Sequence, residues 1–168
     1  MTLNQLSNGR FIVGLGASGP QVVEGWHGVA YGRPMTRTRE YIEIMQKIFN
    51  REAPVEHEGF HYSMPYSAED GTGLGKPLKS ILQADPSIKI YTASITPKGL
   101  ETSAEVADGV FPIWMSPEKS NVLMSSIQKG LDKGGKTMMD FDVAPFVTVV
   151  IGDDVDHCRM PIKGSMAL

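Results

Sequence analysis

Residues Ala93-Ser94-Ile95-Thr96 offer the clearest chemical opportunity in the chain. They form a polar turn between a strand-like run, Ile88–Ala93, and Pro97. Proline suits the first position of a helix, and a threonine before it is a natural cap. A helix start carries unpaired N–H groups and about half a positive charge. Ser94 and Thr96 add hydroxyls at the same place, so an anion, most naturally a phosphate, fits there. The plainer reading is a capped helix that binds nothing, since every strand-to-helix turn shares this geometry.

A second opportunity is the run Gly14-Leu15-Gly16-Ala17-Ser18-Gly19-Pro20. Glycines let backbone approach a ligand, and successive N–H groups can form an anion nest. No Lys-Ser/Thr follows, so it is no Walker loop, and Pro20 stands where a dinucleotide fingerprint needs its third glycine. Beyond it, Glu24, Trp26 and His27 sit among glycines. Histidine changes charge near neutral pH and can act as acid or base. The structural alternative is a loop anchored by a buried Trp26. His57 and His61 are four apart in a segment that reads as a hairpin around Glu58-Gly59, which removes the helical geometry of a two-histidine zinc motif. Asp153, Asp154, Asp156, His157 and Cys158 are too closely spaced to converge on one metal and read as a helix cap. No metal site is expected. Arg33, Arg37 and Arg39 could reach an acidic ligand, although solvated side chains are the simpler expectation.

These residues must be positioned by strands and helices in alternation. Strands are predicted at Arg10–Leu15, Ile88–Ala93, Val110–Trp114 and Val143–Ile151, the last buried on both faces. Helices are predicted over Pro34–Asn50, from Pro97 to the Asp108-Gly109 stop, and from Ser116-Pro117 to Gly134. Tyr41, Ile42, Ile44, Met45, Ile48 and Phe49 share one arc of the first; Leu100, Ser103, Ala104 and Ala107 share a face of the second. Gly109 is expected to take a left-handed conformation there. The run Gly71–Lys79 reads as a flexible insertion.

At 168 residues one domain is expected. A net charge of −3 gives no basic footprint for nucleic acid. No apolar run reaches the roughly 20 residues that span a bilayer. The first ten residues lack the apolar core of a signal peptide, and the single Cys158 precludes an internal disulfide, which together favour the cytoplasm. The alternating pattern leaves an open doubly wound sheet or a (β/α)8 barrel. A barrel needs about 250 residues, so this chain would be a fragment or would pair with another chain.

Five blocks extend the reading. They are Gly9–Gly28, Thr36–Phe49, Gly73–Ser80, Ile90–Met115 and Asp140–Arg159. In order and over nearly the whole chain they resemble luciferase-like monooxygenases, most of all the branch dependent on the deazaflavin coenzyme F420, which includes methylenetetrahydromethanopterin-reductase-like proteins. The resemblance implies an α/β fold, a partial (β/α)8 TIM barrel of about strands four to seven, with the first three strands and the C-terminal part having no counterpart here. Met160–Leu168 do not resemble the family's continuation. The resemblance implies a cofactor site at the strands' C-terminal ends. Ala93, Ser94, Ile95 and Thr96 would hold its phosphate; Gly16, Ala17, Ser18 and Gly19 would lie along its ring or ribityl chain; Trp114, Met115 and Ser116 would line the same mouth. His27 and Glu24 are the catalytic candidates, Glu24 being displaced from the place where some dehydrogenases of the family carry a glutamate and this chain has Gly19-Pro20. The implied activity is hydride transfer to or from a small organic substrate, or oxygen-dependent oxidation if the cofactor is FMN. A homo-oligomer, or a second chain supplying the missing barrel half, is the expected partner. A cofactor-binding module without turnover and an unrelated open phosphate-binding domain are the alternatives.

Overall fold

The computed structural model describes residues 1–166; Ala167 and Leu168, the end of the segment expected to depart from the family pattern, lie outside the described residues. In chain order the elements are α1 (Thr2–Leu6), β1 (Ile12–Gly16), α2 (Pro20–Gly25), α3 (Pro34–Asn50), β2 (His57–Glu58), β3 (Ser63–Met64), β4 (Lys89–Ala93), α4 (Pro97–Val106), β5 (Gly109–Val110), α5 (Asn121–Gly134), β6 (Asp142–Val143) and α6 (Val155–Met166). Short 3-10 turns at Pro117–Lys119 and Met138–Asp140 precede α5 and β6.

Four strands form one parallel sheet in the order β1-β4-β5-β6. The order never reverses. A doubly wound sheet must reverse at a switch point to place helices on both faces. Right-handed crossovers that always step the same way put every helix on one face, which is how a barrel wall is built. The buried residues follow. Ile42 of α3 meets Ile90 of β4 and Ala107, with Val13 and Leu15 of β1 packed alongside. Leu100 and Ala104 of α4 close on Ile127 and Leu131 of α5 over Val110 and Phe141.

The opposite face carries Lys89 and Tyr91 of β4, because Ile90 and Thr92 point to the helices and side chains alternate. Tyr91 donates across β5 to Asp142, which also pairs with Lys89 at 3.1 Å. Tyr91, Phe111 and Phe146 form a row of rings with centroids 5.1 and 5.3 Å apart.

Two predicted strands are shorter than the sequence implied. β5 ends at Val110 because Pro112 has no N–H for the ladder and Trp114 turns to a positive φ of 54°. Backbone bonds follow β6 only as far as Ala144 to Val110 and Phe146 to Pro112. β6 is the sheet's edge, so the expected doubly buried strand is instead open: Phe146, Val147, Val149 and Ile151 are exposed, Ile151 at 93%. Gly109 also differs from expectation. Its φ is not positive. A methyl there would stand 2.8 Å from the Tyr91 ring, so glycine is needed for the crossing of that side chain.

The hairpin forms as predicted, with His57 opposite Met64 and Glu58 opposite Ser63. Asp154 caps α6 by accepting from the amides of Asp156 at 2.9 Å and His157 at 3.4 Å. No described helix is long and apolar enough to cross a membrane.

Candidate functional site at the C-terminal rim of the sheet

Strand register assembles the rim. Gly16 is the partner of Ala93, so the glycine loop after β1 and the turn after β4 leave the sheet side by side. With no side chain at Gly16, the ideal Cβ position there is 3.7 Å from the Ala93 Cβ. Ala17, Ala93 and Ser94 line one narrow slot between the loops.

The β4–α4 turn has the architecture its sequence implied. Thr96 is extended and its hydroxyl accepts from the Gly99 amide at 3.1 Å, with Pro97 opening the helix. Ser94 lies beneath. Its hydroxyl is 3.2 Å from that of Ser103, which accepts a hydrogen bond from the Thr92 hydroxyl and lies 2.7 Å from the Gly99 carbonyl. Gly99 is buried, and a methyl on it would meet the Thr96 hydroxyl at 2.9 Å and the Ser94 hydroxyl at 3.1 Å. Only glycine lets both hydroxyls close on the helix start. Ile95 points outward and is 47% exposed.

In the glycine loop the left-handed residue is Ser18, at φ 56°, and not a glycine. Gly19 is extended and caps α2, so the proline that spoils a dinucleotide fingerprint is a helix start. The Glu24 carboxylate accepts from the Tyr31 amide at 3.1 Å, and the Tyr31 hydroxyl donates to the Ser18 carbonyl at 3.0 Å. Glu24 therefore folds its own loop back onto the glycine turn. His27 is exposed. Trp26 is 83% exposed, so it does not anchor the loop. Trp114, Met115 and Ser116 leave β5 at the same end of the sheet, Trp114 being 67% exposed and Ser116 donating to Glu118.

Several residues the sequence did not single out shape the rim. A cavity of about 210 Å³ opens between the glycine loop and the start of α3, lined by Leu15, Gly16, Ala17, Pro34, Arg37, Thr38, Tyr41 and Tyr62. Its roof is the hairpin, which is clamped by Glu40. That carboxylate, 5% exposed, accepts from the amides of Phe60, His61 and Tyr62 at 2.8, 2.9 and 3.0 Å. Burial opposes its ionisation, yet the three donors outweigh burial and hold its carboxyl below the usual range. His57 Nε2 lies 3.7 Å from it. The signal for Glu40 was a carboxylate adjoining the apolar arc of an amphipathic helix. The three arginines diverge: Arg39 pairs with Glu105 at 2.6 Å, Arg33 lies 4.4 Å over the Phe60 ring, and the Arg37 guanidinium donates to the Ala30 carbonyl at 3.2 Å.

The wall of parallel strands and the rim of loops at their C-terminal ends define the class. The chain belongs to the luciferase-like monooxygenase family, whose model matches residues 1–164. It is 42% identical to an oxidoreductase of Mycobacterium tuberculosis provisionally named as coenzyme F420-dependent, over 100% of this chain and 49% of that protein. It is 31% identical to the 5,10-methylenetetrahydromethanopterin reductase of Archaeoglobus fulgidus, over 94% of this chain and 43% of that one. The chain thus spans about half the length of the curated relatives it matches. Among solved structures it superposes on an F420-dependent secondary alcohol dehydrogenase with a TM-score of 0.78 and 18% identity, over 96% of this chain and 47% of that one. The F420-dependent tetrahydromethanopterin reductase of Methanopyrus kandleri gives 0.69 and 24%, over 92% and 46%. The neighbours are F420-dependent TIM-barrel enzymes, and the α/β wall here is about half of such a barrel.

Proposed function

We propose that this chain forms the cofactor-binding rim of an oxidoreductase that uses coenzyme F420 to transfer hydride to or from a small organic substrate. The observation that carries the reading is the Gly16–Ala93 register, which sets a glycine loop beside a hydroxyl-lined helix start. That arrangement fits a phosphorylated deazaflavin. The α4 helix start and the Ser94 and Thr96 hydroxyls suit its phosphate, and a side-chain-free strand end at Gly16 suits a flat ring or its chain. When bound, the deazaflavin supplies two-electron hydride chemistry.

The chain's own residues bind and orient. Thr96 fixes the first turn of α4, and Ser103 holds Ser94 beneath it. Trp114, Met115 and Ser116 extend the rim past β5. Glu24 braces the glycine turn through Tyr31. We assign His27, exposed on that same braced loop, the role of exchanging the substrate's proton with solvent at a ring nitrogen. The ring row that runs from buried Tyr91 through Phe111 to exposed Phe146 marks the face on which the remaining barrel wall, or a second copy, would close.

Titration with coenzyme F420, followed by its fluorescence, tests the reading against FMN as comparator. Saturable binding of F420, tighter than FMN, is expected. Folded chain that binds neither overturns it. Oxidation or reduction of bound F420 with candidate alcohols then separates a working enzyme from a binding module.

A further inference from the structure

We infer that the cavity at the start of α3 is a binding subsite for a compact carboxylate carried on an apolar body, distinct from the phosphate turn. Its walls are mostly hydrocarbon, from Leu15, Pro34, Tyr41 and Tyr62. One cation reaches it, Arg37, a partly buried side chain in the first turn of α3. Arg37 makes no ion pair with any described carboxylate, whereas Arg39, two residues on, is neutralised by Glu105. Its one bond, to the Ala30 carbonyl at 3.2 Å, orients the guanidinium and leaves most of its five donors for a ligand.

The chemistry follows from shape and charge. A guanidinium presents a planar fork that matches a carboxylate in two parallel hydrogen bonds. The positive end of α3 adds to the same field. A cavity of about 210 Å³ lies below the roughly 300–1,000 Å³ of sites for drug-sized ligands, so the occupant is small. The Tyr41 and Tyr62 rings, with centroids 6.0 Å apart, suit a flat apolar body. Glu40 fixes the Tyr62 backbone at the cavity's edge by accepting from its amide. A doubly charged phosphate would find one cation and much hydrocarbon here, and is better served by the α4 turn.

Benzoate, its neutral counterpart benzamide, and inorganic phosphate are the probes, titrated into the whole chain with the tyrosine ring signals observed by NMR. Benzoate should saturate the Tyr41 and Tyr62 signals at least tenfold more tightly than benzamide. Arg37→Gln should abolish that preference while benzamide binding persists. Arg37→Lys, which keeps charge and loses the fork, should retain part of it, and Thr96→Ala should leave it intact, separating this subsite from the proposed cofactor turn. Equal affinity for benzoate and benzamide, or unchanged benzoate affinity in a folded Arg37→Gln, overturns the inference. So does displacement of benzoate by equimolar inorganic phosphate.

Discussion

Two side chains show how differently single residues reveal themselves. Thr96 announces its role locally, because a threonine before a proline after a strand can do little else but cap. Its hydroxyl is bound to the Gly99 amide, so Thr96→Ala removes a cap worth about 1 kcal/mol of stability. If it also grips the cofactor phosphate, F420 affinity in the folded variant falls by a further ~1 kcal/mol, roughly fivefold, measured by titration beside thermal melting. Unchanged affinity would remove Thr96 from the proposed site. Glu40 gives no such notice. Its partners, Phe60, His61 and Tyr62, lie about twenty residues away, and only folding shows that its carboxylate replaces their lost water. Because its carboxyl is held below the ordinary range, its contribution is complete above about pH 4.3, the unfolded value, and fades as pH falls through the folded one. Denaturant melts of the wild type and Glu40→Gln should therefore differ most at neutral pH and converge in acid. A gap that stays constant down to pH 3 would deny the ionised clamp.

Among the elements, glycines decide how closely neighbours approach. On α5, Gly130 and Gly134 face α4: a methyl at Gly130 would lie 2.7 Å from the Ala104 Cβ and would strike the Glu101 carbonyl, and one at Gly134 would lie 2.6 Å from the Glu105 carbonyl oxygen. The helix period located α5, since Leu123, Ile127 and Leu131 recur by four, but it could not say that Gly130 is buried against a partner helix. Gly130→Ala should cost on the order of 1–3 kcal/mol through overpacking, read as a lower midpoint in urea, despite alanine's better helix propensity. A stabilised variant would mean the helices are not in contact there. Lys136 performs a related service. Its ammonium bonds the Ala104 and Ala107 carbonyls at 3.3 and 2.7 Å, closing the end of α4 from outside that helix. Burial holds its pKa below the ordinary lysine value, although Asp108, Asp140 and Glu105 pull the other way.

At the scale of the molecule, the sheet is covered on one face and open on the other. Tyr91 is buried at the inner end of the ring row, but the outer end and edge, Phe146, Val147, Val149 and Ile151, leave apolar surface exposed. Such surfaces drive association. The chain alone should bind a hydrophobic dye and sediment as concentration-dependent oligomers, and the pair Val147→Lys and Ile151→Lys should shift it toward monomer with its melting temperature unchanged. Concentration-independent sedimentation as a monomer would show that this face needs no cover.

The sequence by itself determined what depends on neighbours in the chain. The strand starts to within two residues, the α4 cap, the hairpin at Glu58-Gly59, the span of α3 and the family pattern all follow from spacings of a few residues, which backbone stereochemistry constrains directly. Tertiary structure alone decided what depends on residues far apart. It fixed an unreversed strand order over a doubly wound one, cut Val143–Ile151 to a short open edge, exposed Trp26, buried Glu40, and left Arg37 without a carboxylate among the described residues. The reason is that burial and pairing are properties of the partner brought close, and no periodicity within one element names that partner.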